Sequence, residues 1–183
     1  MKNSCYLRCV VFQVLKDVLR IIFFCSISLI ISSCNSSTNN NLVYGSLSLL
    51  KGYPISTGSH PTIMAITPNG RFLYVTNAGI NAVSSYSISN NGSLIQIPGS
   101  PFKTGNLPIG ITIIPDGGLM YVANVNDNTM SVFEIASTGV LTQIPGSPIN
   151  TGNSPQLIAV SPNGRFIYVT NYGDNTVSML LDC

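Results

Sequence analysis

Three stretches decide the reading: PTIMAITPNGRFLYVTNAGIN at residues 61–81, PIGITIIPDGGLMYVANVNDN at 108–128 and PQLIAVSPNGRFIYVTNYGDN at 155–175. They stand in register at a spacing of 47 residues that never drifts. Pro61, Pro108 and Pro155 head them; Tyr74, Tyr121 and Tyr168 mark their middles; Asn81, Asn128 and Asn175 end them. A fixed internal period of this size marks an array of one supersecondary unit, each copy burying its faces against its neighbours.

Working outward, the apolar spacing within a unit is two rather than 3.6. Ile111 to Ile114 is closed by Pro115-Asp116-Gly117-Gly118; then come Leu119 to Ala123, a turn at Asn124 to Asn128, Thr129 to Ala136, and Val140 to Ile144 before Pro145-Gly146. Four short runs punctuated by Pro, Gly, Asn and Asp read as an antiparallel meander. A repeated four-stranded sheet of about 40–50 residues is the signature of a propeller blade, so the fold class expected is an all-β propeller. Leu47 to Leu50 aligns with the fourth strand at Leu94 to Ile97, so the repeats open on a fourth strand and close after a third. That predicts twelve strands, or about three blades, where propellers close with about 4–8. At the last copy Leu181 takes the place of Ser87 and Glu134, and Asp182 that of Ile88 and Ile135, which inverts the alternation. The expectation is a fragment of a larger propeller, with a homo-oligomer of two chains completing six blades as the rival.

Tyr74-Val75-Thr76-Asn77, Tyr168-Val169-Thr170-Asn171 and the near copy Tyr121-Val122-Ala123-Asn124, with Pro-Asn-Gly-Arg turns at 68–71 and 162–165, resemble the YVTN propeller repeats. Gln96-Ile97-Pro98-Gly99-Ser100-Pro101, repeated at Gln143 to Pro148, is similar to the lactonase-like propellers, a family that includes 6-phosphogluconolactonases. The resemblance covers about residues 47–180 and implies fold. It implies activity only weakly, because these motif residues have structural roles: Tyr and Val alternate between sheet faces, and Asn77, Asn124 and Asn171 are expected to start the hairpins that follow.

Composition separates a leader from a body. The chain of 183 residues is 45% hydrophobic and only 8% charged, well below the roughly 25% of an average domain. Lys2, Arg8, Lys16 and Arg20 against Asp17 give residues 1–33 a charge of +3, and residues 34–183 carry −1, consistent with the net +2. A near-neutral body has no field with which to bind nucleic acid. Cys5, Cys9, Cys25 and Cys34 sit at or before position 34 and Cys183 is last, so the repeats between them hold together by packing alone. Ile21 to Ile31 is an apolar core too short to span a membrane as a helix, and fits a secretory signal. It runs into Ile31-Ser32-Ser33-Cys34, which resembles a bacterial lipobox. The domains expected are a signal peptide with lipobox at 1–33, a lipidated Cys34 with a polar tether to residue 46, and propeller repeats at 47–183. The resemblance implies lipid on Cys34 and attachment to a membrane of the cell envelope, on its periplasmic or surface face. An ordinary cleaved signal and an uncleaved anchor are the alternatives.

Reactive side chains are sparse. His60 is the single histidine, at a position that is Leu107 and Ser154 in the other copies, and a varying position among matching repeats could face a central channel. Lys103 precedes a blade and aligns with Ser56 and Asn150. Arg71 and Arg165 follow Asn-Gly turns and either cap them or reach a ligand carboxylate; Asp127 and Asp174 read as turn residues. His60, Lys103, Arg71 and Arg165 are thus the candidate binding residues, and His60 the candidate for catalysis. No cofactor and no metal site is expected, since no phosphate loop, paired carboxylates or zinc spacing occurs. The reading favoured is a lipid-anchored scaffold for an unidentified protein or carbohydrate ligand. The alternative, implied by the resemblance, is a hydrolase of sugar lactones.

Overall fold

In a computed structural model the described residues are 48–49 and 51–181, and all their regular elements are strands. All but Ser48 belong to the second of two compact units, Leu49–Cys183. The leader, Cys34, the tether, Asp182 and Cys183 lie outside the described residues.

Blade 1 contains β1 (Pro61–Ile66), β2 (Phe72–Asn77), β3 (Ala82–Ile88) and β4 (Leu94–Gln96) in that spatial order. The two-residue β5 (Phe102–Lys103) pairs with the start of β3. Blade 2 repeats this with β6 (Pro108–Ile113), β7 (Leu119–Asn124), β8 (Thr129–Ile135), β9 (Leu141–Gln143) and β10 (Ile149–Asn150). Blade 3 has β11 (Pro155–Val160), β12 (Phe166–Asn171) and β13 (Thr176–Leu181). All pairings are antiparallel, and β1, β6 and β11 lie side by side as the innermost strands.

Eleven of the twelve strands expected from the sequence are present, and β5 and β10 are additional; no apolar period announces elements of two residues. The strand expected at Leu47 to Leu50 is not seen where it can be judged: Ser48 and Leu49 are outside any strand, and Leu47 and Leu50 are outside the described residues.

Each first hairpin turns where the sequence puts Asn-Gly or Asp-Gly. In blade 1 the Gly70 N–H donates to the Thr67 carbonyl at 2.8 Å, and Asn69 Oδ1 accepts the Arg71 N–H at 3.0 Å. Gly70 there has φ 71°, a conformation open to glycine at little cost. Each first strand also carries a bulge, between Pro61 and Met64, Pro108 and Ile111, and Pro155 and Ile158. The Thr76 hydroxyl accepts the Ile63 N–H at 3.1 Å within the first, and Thr170 does the same for Leu157 in the third. Blade 2 has Ala123 in place of that threonine and Gly110 in the bulge.

Strand alternation builds the core between blades. Phe72, Tyr74 and Val83 from one face of blade 1 meet Ile111, Met120, Val122 and Phe133 from blade 2. Tyr121, Met130 and Val132 then meet Ile167 and Val169 of blade 3. The Tyr74 hydroxyl donates to the Gly139 carbonyl of blade 2 at 3.0 Å, and burial raises its pKa above the ordinary phenol value. Fully burying side chains of this size contributes about 1.5–3 kcal/mol each, so stacking dominates the stability of the array.

Candidate functional site

Two sets of loops converge at one end of the blades. The lead-in loops are 57–60, 104–107 and 151–154; the hairpin turns between second and third strands are 78–81, 125–128 and 172–175. The buried Asn77 and Asn124 fasten the one to the other. Asn77 Oδ1 accepts N–H of Gly58 and the hydroxyl of Thr57, both at 3.0 Å, while its amide donates to Ser84 Oγ at 2.9 Å. Asn124 accepts from the Gly105 N–H at 3.2 Å and donates to Thr129 and Ser131. Asn77, Asn124 and Asn171 start the hairpins as expected, each carbonyl accepting the N–H three residues on at 3.3 Å, and the side chains of Asn77 and Asn124 also clamp the lead-in loops from the last position of their strands. A short amide carries both donors and an acceptor, which a buried loop junction needs.

The left-handed conformation within each turn belongs to Asn81, Asn128 and Asn175, with φ of 52°, 57° and 56°. Asn81 Oδ1 accepts the Leu107 N–H at 2.9 Å and Asn128 Oδ1 the Ser154 N–H at 2.8 Å, so each turn reaches into the lead-in loop of the next blade. His60, Leu107 and Ser154 share a left-handed backbone, φ 50° to 55°. At Leu107 and Ser154 the repeat uses the main chain, which explains why side chains at this position vary among the copies.

His60 is exposed, its Nδ1 is 3.0 Å from Ser59 Oγ, and its carbonyl accepts the Ala78 N–H at 2.9 Å. Lys103 pairs with Ala82 at the same end. Arg71 and Arg165 lie at the opposite end, beside the first hairpins, and the Arg71 guanidinium stacks on the Phe72 ring at 5.1 Å from its centre. The four candidates thus fall into two separate groups.

Asp127 accepts two hydrogen bonds from Asn106, from its backbone and side-chain amides, each at 2.7 Å; these bonds hold its carboxyl below the usual carboxylate range. Asp174 holds Asn153 in the same way, at 2.6 Å. Both aspartates brace their own blade's lead-in loop, a pairing across 21 residues that the sequence reading did not find. Among the described residues, no group of three His, Cys, Asp or Glu could hold a metal ion. An apolar cavity of about 90 Å³ opens between blades 2 and 3, lined by Met130, Val132, Ile144, Ile149, Ile167 and Leu180 among others. Its lining is mainly aliphatic, with Tyr121 the residue that carries a polar group.

The family described as the seven-bladed lactonase β-propeller matches residues 46–149, more than half of the chain. The chain belongs to that family. No curated protein matches it. Among solved structures it is similar to a periplasmic gluconolactonase of Pseudomonas aeruginosa, 25% identical with a TM-score of 0.62, over 72% of this chain and 38% of that one. A functionally unknown protein from Desulfotomaculum acetoxidans is 28% identical, TM-score 0.56, over 66% of this chain and 41% of that one. A gluconolactonase from Xanthomonas campestris, at 19% identity and TM-score 0.51 over 69% and 39%, shares the fold. The chain spans about two fifths of the length of these structures.

Proposed function

We propose that these three blades are an arc of a sugar-lactone hydrolase of the cell envelope, with the substrate taken at the end of the blades that carries the lead-in loops. The observations that support this reading are the family match over residues 46–149, which takes in blade 1 and most of blade 2, and the likeness to a periplasmic gluconolactonase. Of the side chains at that end, His60 carries the imidazole a general base would use: it is exposed, and its ring is hydrogen-bonded to Ser59. Activating a water against the lactone carbonyl is the step it would serve.

The test is hydrolysis of glucono-1,5-lactone and its 6-phosphate, followed by acid release against buffer. The expected result is acceleration over the spontaneous rate, with His60→Gln lowering it by about 10²-fold, the lower range for a general base. An uncatalysed rate at all protein concentrations would leave the second reading, a scaffold that binds without turnover. That reading draws on Asp127 and Asp174, whose carboxylates are already committed to bracing loops.

For the address, lipid on Cys34 is proposed, on the Ile31-Ser32-Ser33-Cys34 stretch. Cys34→Ser is expected to move the protein from the membrane fraction to the soluble one, because acyl chains supply the anchoring free energy. Retention in the membrane fraction by the variant would reject lipidation.

A further inference from the structure

We infer that Ser59 is a positioning residue for His60, holding its imidazole with Nδ1 protonated and leaving Nε2 as the basic nitrogen. This rests on the lactone reading above and deepens it. Three positions of the repeat carry it. Two are adjacent in the lead-in loop: Ser59 and His60 of blade 1 stand where blade 2 has Asn106 and Leu107 and blade 3 has Asn153 and Ser154. The third is in the turn held to that loop, where Ile80 replaces the Asp127 and Asp174 of the other blades.

The main chain is alike in all three. The Ser59 and His60 carbonyls accept the Gly79 and Ala78 N–H at 3.0 and 2.9 Å. The carbonyls of Asn106 and Leu107 accept from Asn126 and Val125, and those of Asn153 and Ser154 from Gly173 and Tyr172. The side chains differ. In blades 2 and 3 the aspartate takes both the backbone and the side-chain amide of the asparagine. In blade 1 the Ile80 side chain lies where a Cβ on Gly58 would fall, and the Ser59 hydroxyl is 3.0 Å from His60 Nδ1. Loss of the aspartate thus coincides with serine and histidine side by side. Gly79 completes the arrangement: a Cβ there would fall on His60 Nδ1 and come within 2.7 Å of Ser59 Oγ. Blade 2 has Asn126 at this place, so the backbone accepts a side chain and what the glycine supplies is room for the pair. A neutral imidazole has one N–H and one lone pair, and the bond made at one nitrogen fixes the other. A hydroxyl that accepts from Nδ1–H leaves the Nε2 lone pair to take a proton from water. That proton returns to the ring oxygen when the lactone C–O bond breaks.

His60 is the single histidine of the chain, so nitrogen NMR of the histidine-labelled full-length protein reads its two ring nitrogens without overlap. Above the pH at which the ring titrates, the expected tautomer is Nδ1–H, and Ser59→Ala should shift the population towards Nε2–H. Ser59→Thr keeps the hydroxyl and should retain Nδ1–H. Gly79→Ala keeps both partners but fills the space they occupy, and should behave as Ser59→Ala does. With glucono-1,5-lactone, Ser59→Ala and Gly79→Ala should lower kcat about tenfold at unchanged KM, the worth of one hydrogen bond, and Ser59→Thr should restore it. The spectra decide the pairing whether or not lactone is turned over. An Nε2–H tautomer in the unaltered protein, or a tautomer that Ser59→Ala leaves as it was, overturns the pairing. So does hydrolysis that His60→Gln abolishes and Ser59→Ala leaves intact. Nδ1–H held through Ser59 in a protein without turnover supports the pairing and rejects the hydrolase reading alone.

Discussion

Asn124→Leu is expected to lower the thermal midpoint of the protein by roughly 10 °C, corresponding to about 3 kcal/mol for an array of this size. Leucine keeps the branched shape of the asparagine side chain but has bulkier methyl ends, so the loss of polar partners comes with some overpacking at this fully buried site. The variant removes the acceptor for the Gly105 N–H and the donor to Thr129 and Ser131. Each such bond contributes about 0.5–1.5 kcal/mol net, and a donor left buried without a partner costs about 1–3 kcal/mol. Asn171→Leu supplies the internal comparison. Its side-chain oxygen has no partner among the described residues, and the Gly152 N–H goes to Ser178 instead. About half the effect is expected there. Equal melting of Asn124→Leu and the unaltered protein would show that the clamp contributes nothing.

The second large effect belongs to Gly110→Val. Gly110 lies in the bulge of the innermost strand of blade 2, and a Cβ added there would fall on the backbone carbonyl of Gln156 in blade 3. A flexible side chain could swing away; a carbonyl within an adjoining strand cannot without parting the blades. Overpacking of this kind costs about 1–3 kcal/mol and more where backbone must move. With a urea slope of about 1–3 kcal/mol per molar, the denaturation midpoint should fall by about 1–2 M. Gly118→Ala is the control: its nearest contact is Asp116 Oδ1 at 3.3 Å, and its midpoint should shift little. If both variants denature together with the parent protein, the close approach of β6 and β11 is not what holds blades 2 and 3 in contact.

The two positions mark different limits of sequence reading. Asn124 was visible as a repeated residue, but its neighbours in the chain suggested only a turn. Its partners, Gly105 and Ser131, lie 19 and 7 residues away and come together only when the lead-in loop folds over the strand. Gly110 takes the place that Ile63 and Leu157 hold in the other units, and nothing in its own segment marked it out. The reason lies in another blade. The candidate site follows the same division: His60 was picked out because its position varies, and the structure attributes the variation to a contact made by the main chain. Arg71 and Arg165 looked equivalent to His60 and Lys103 as isolated polar residues; antiparallel strand direction carries them to the far end.

The sequence by itself determined the repeat, the period-two alternation, the four-run unit and the turns at Asn-Gly and Asp-Gly. These are local properties, set by side-chain parity and backbone preference within a few residues. Only the tertiary structure decided which faces meet, which asparagines clamp the lead-in loops, and which apolar side chains stay uncovered. Identical strands acquire different surroundings through stacking: Tyr74 is buried because blade 2 lies against it, and Tyr168 is exposed because no described blade lies there.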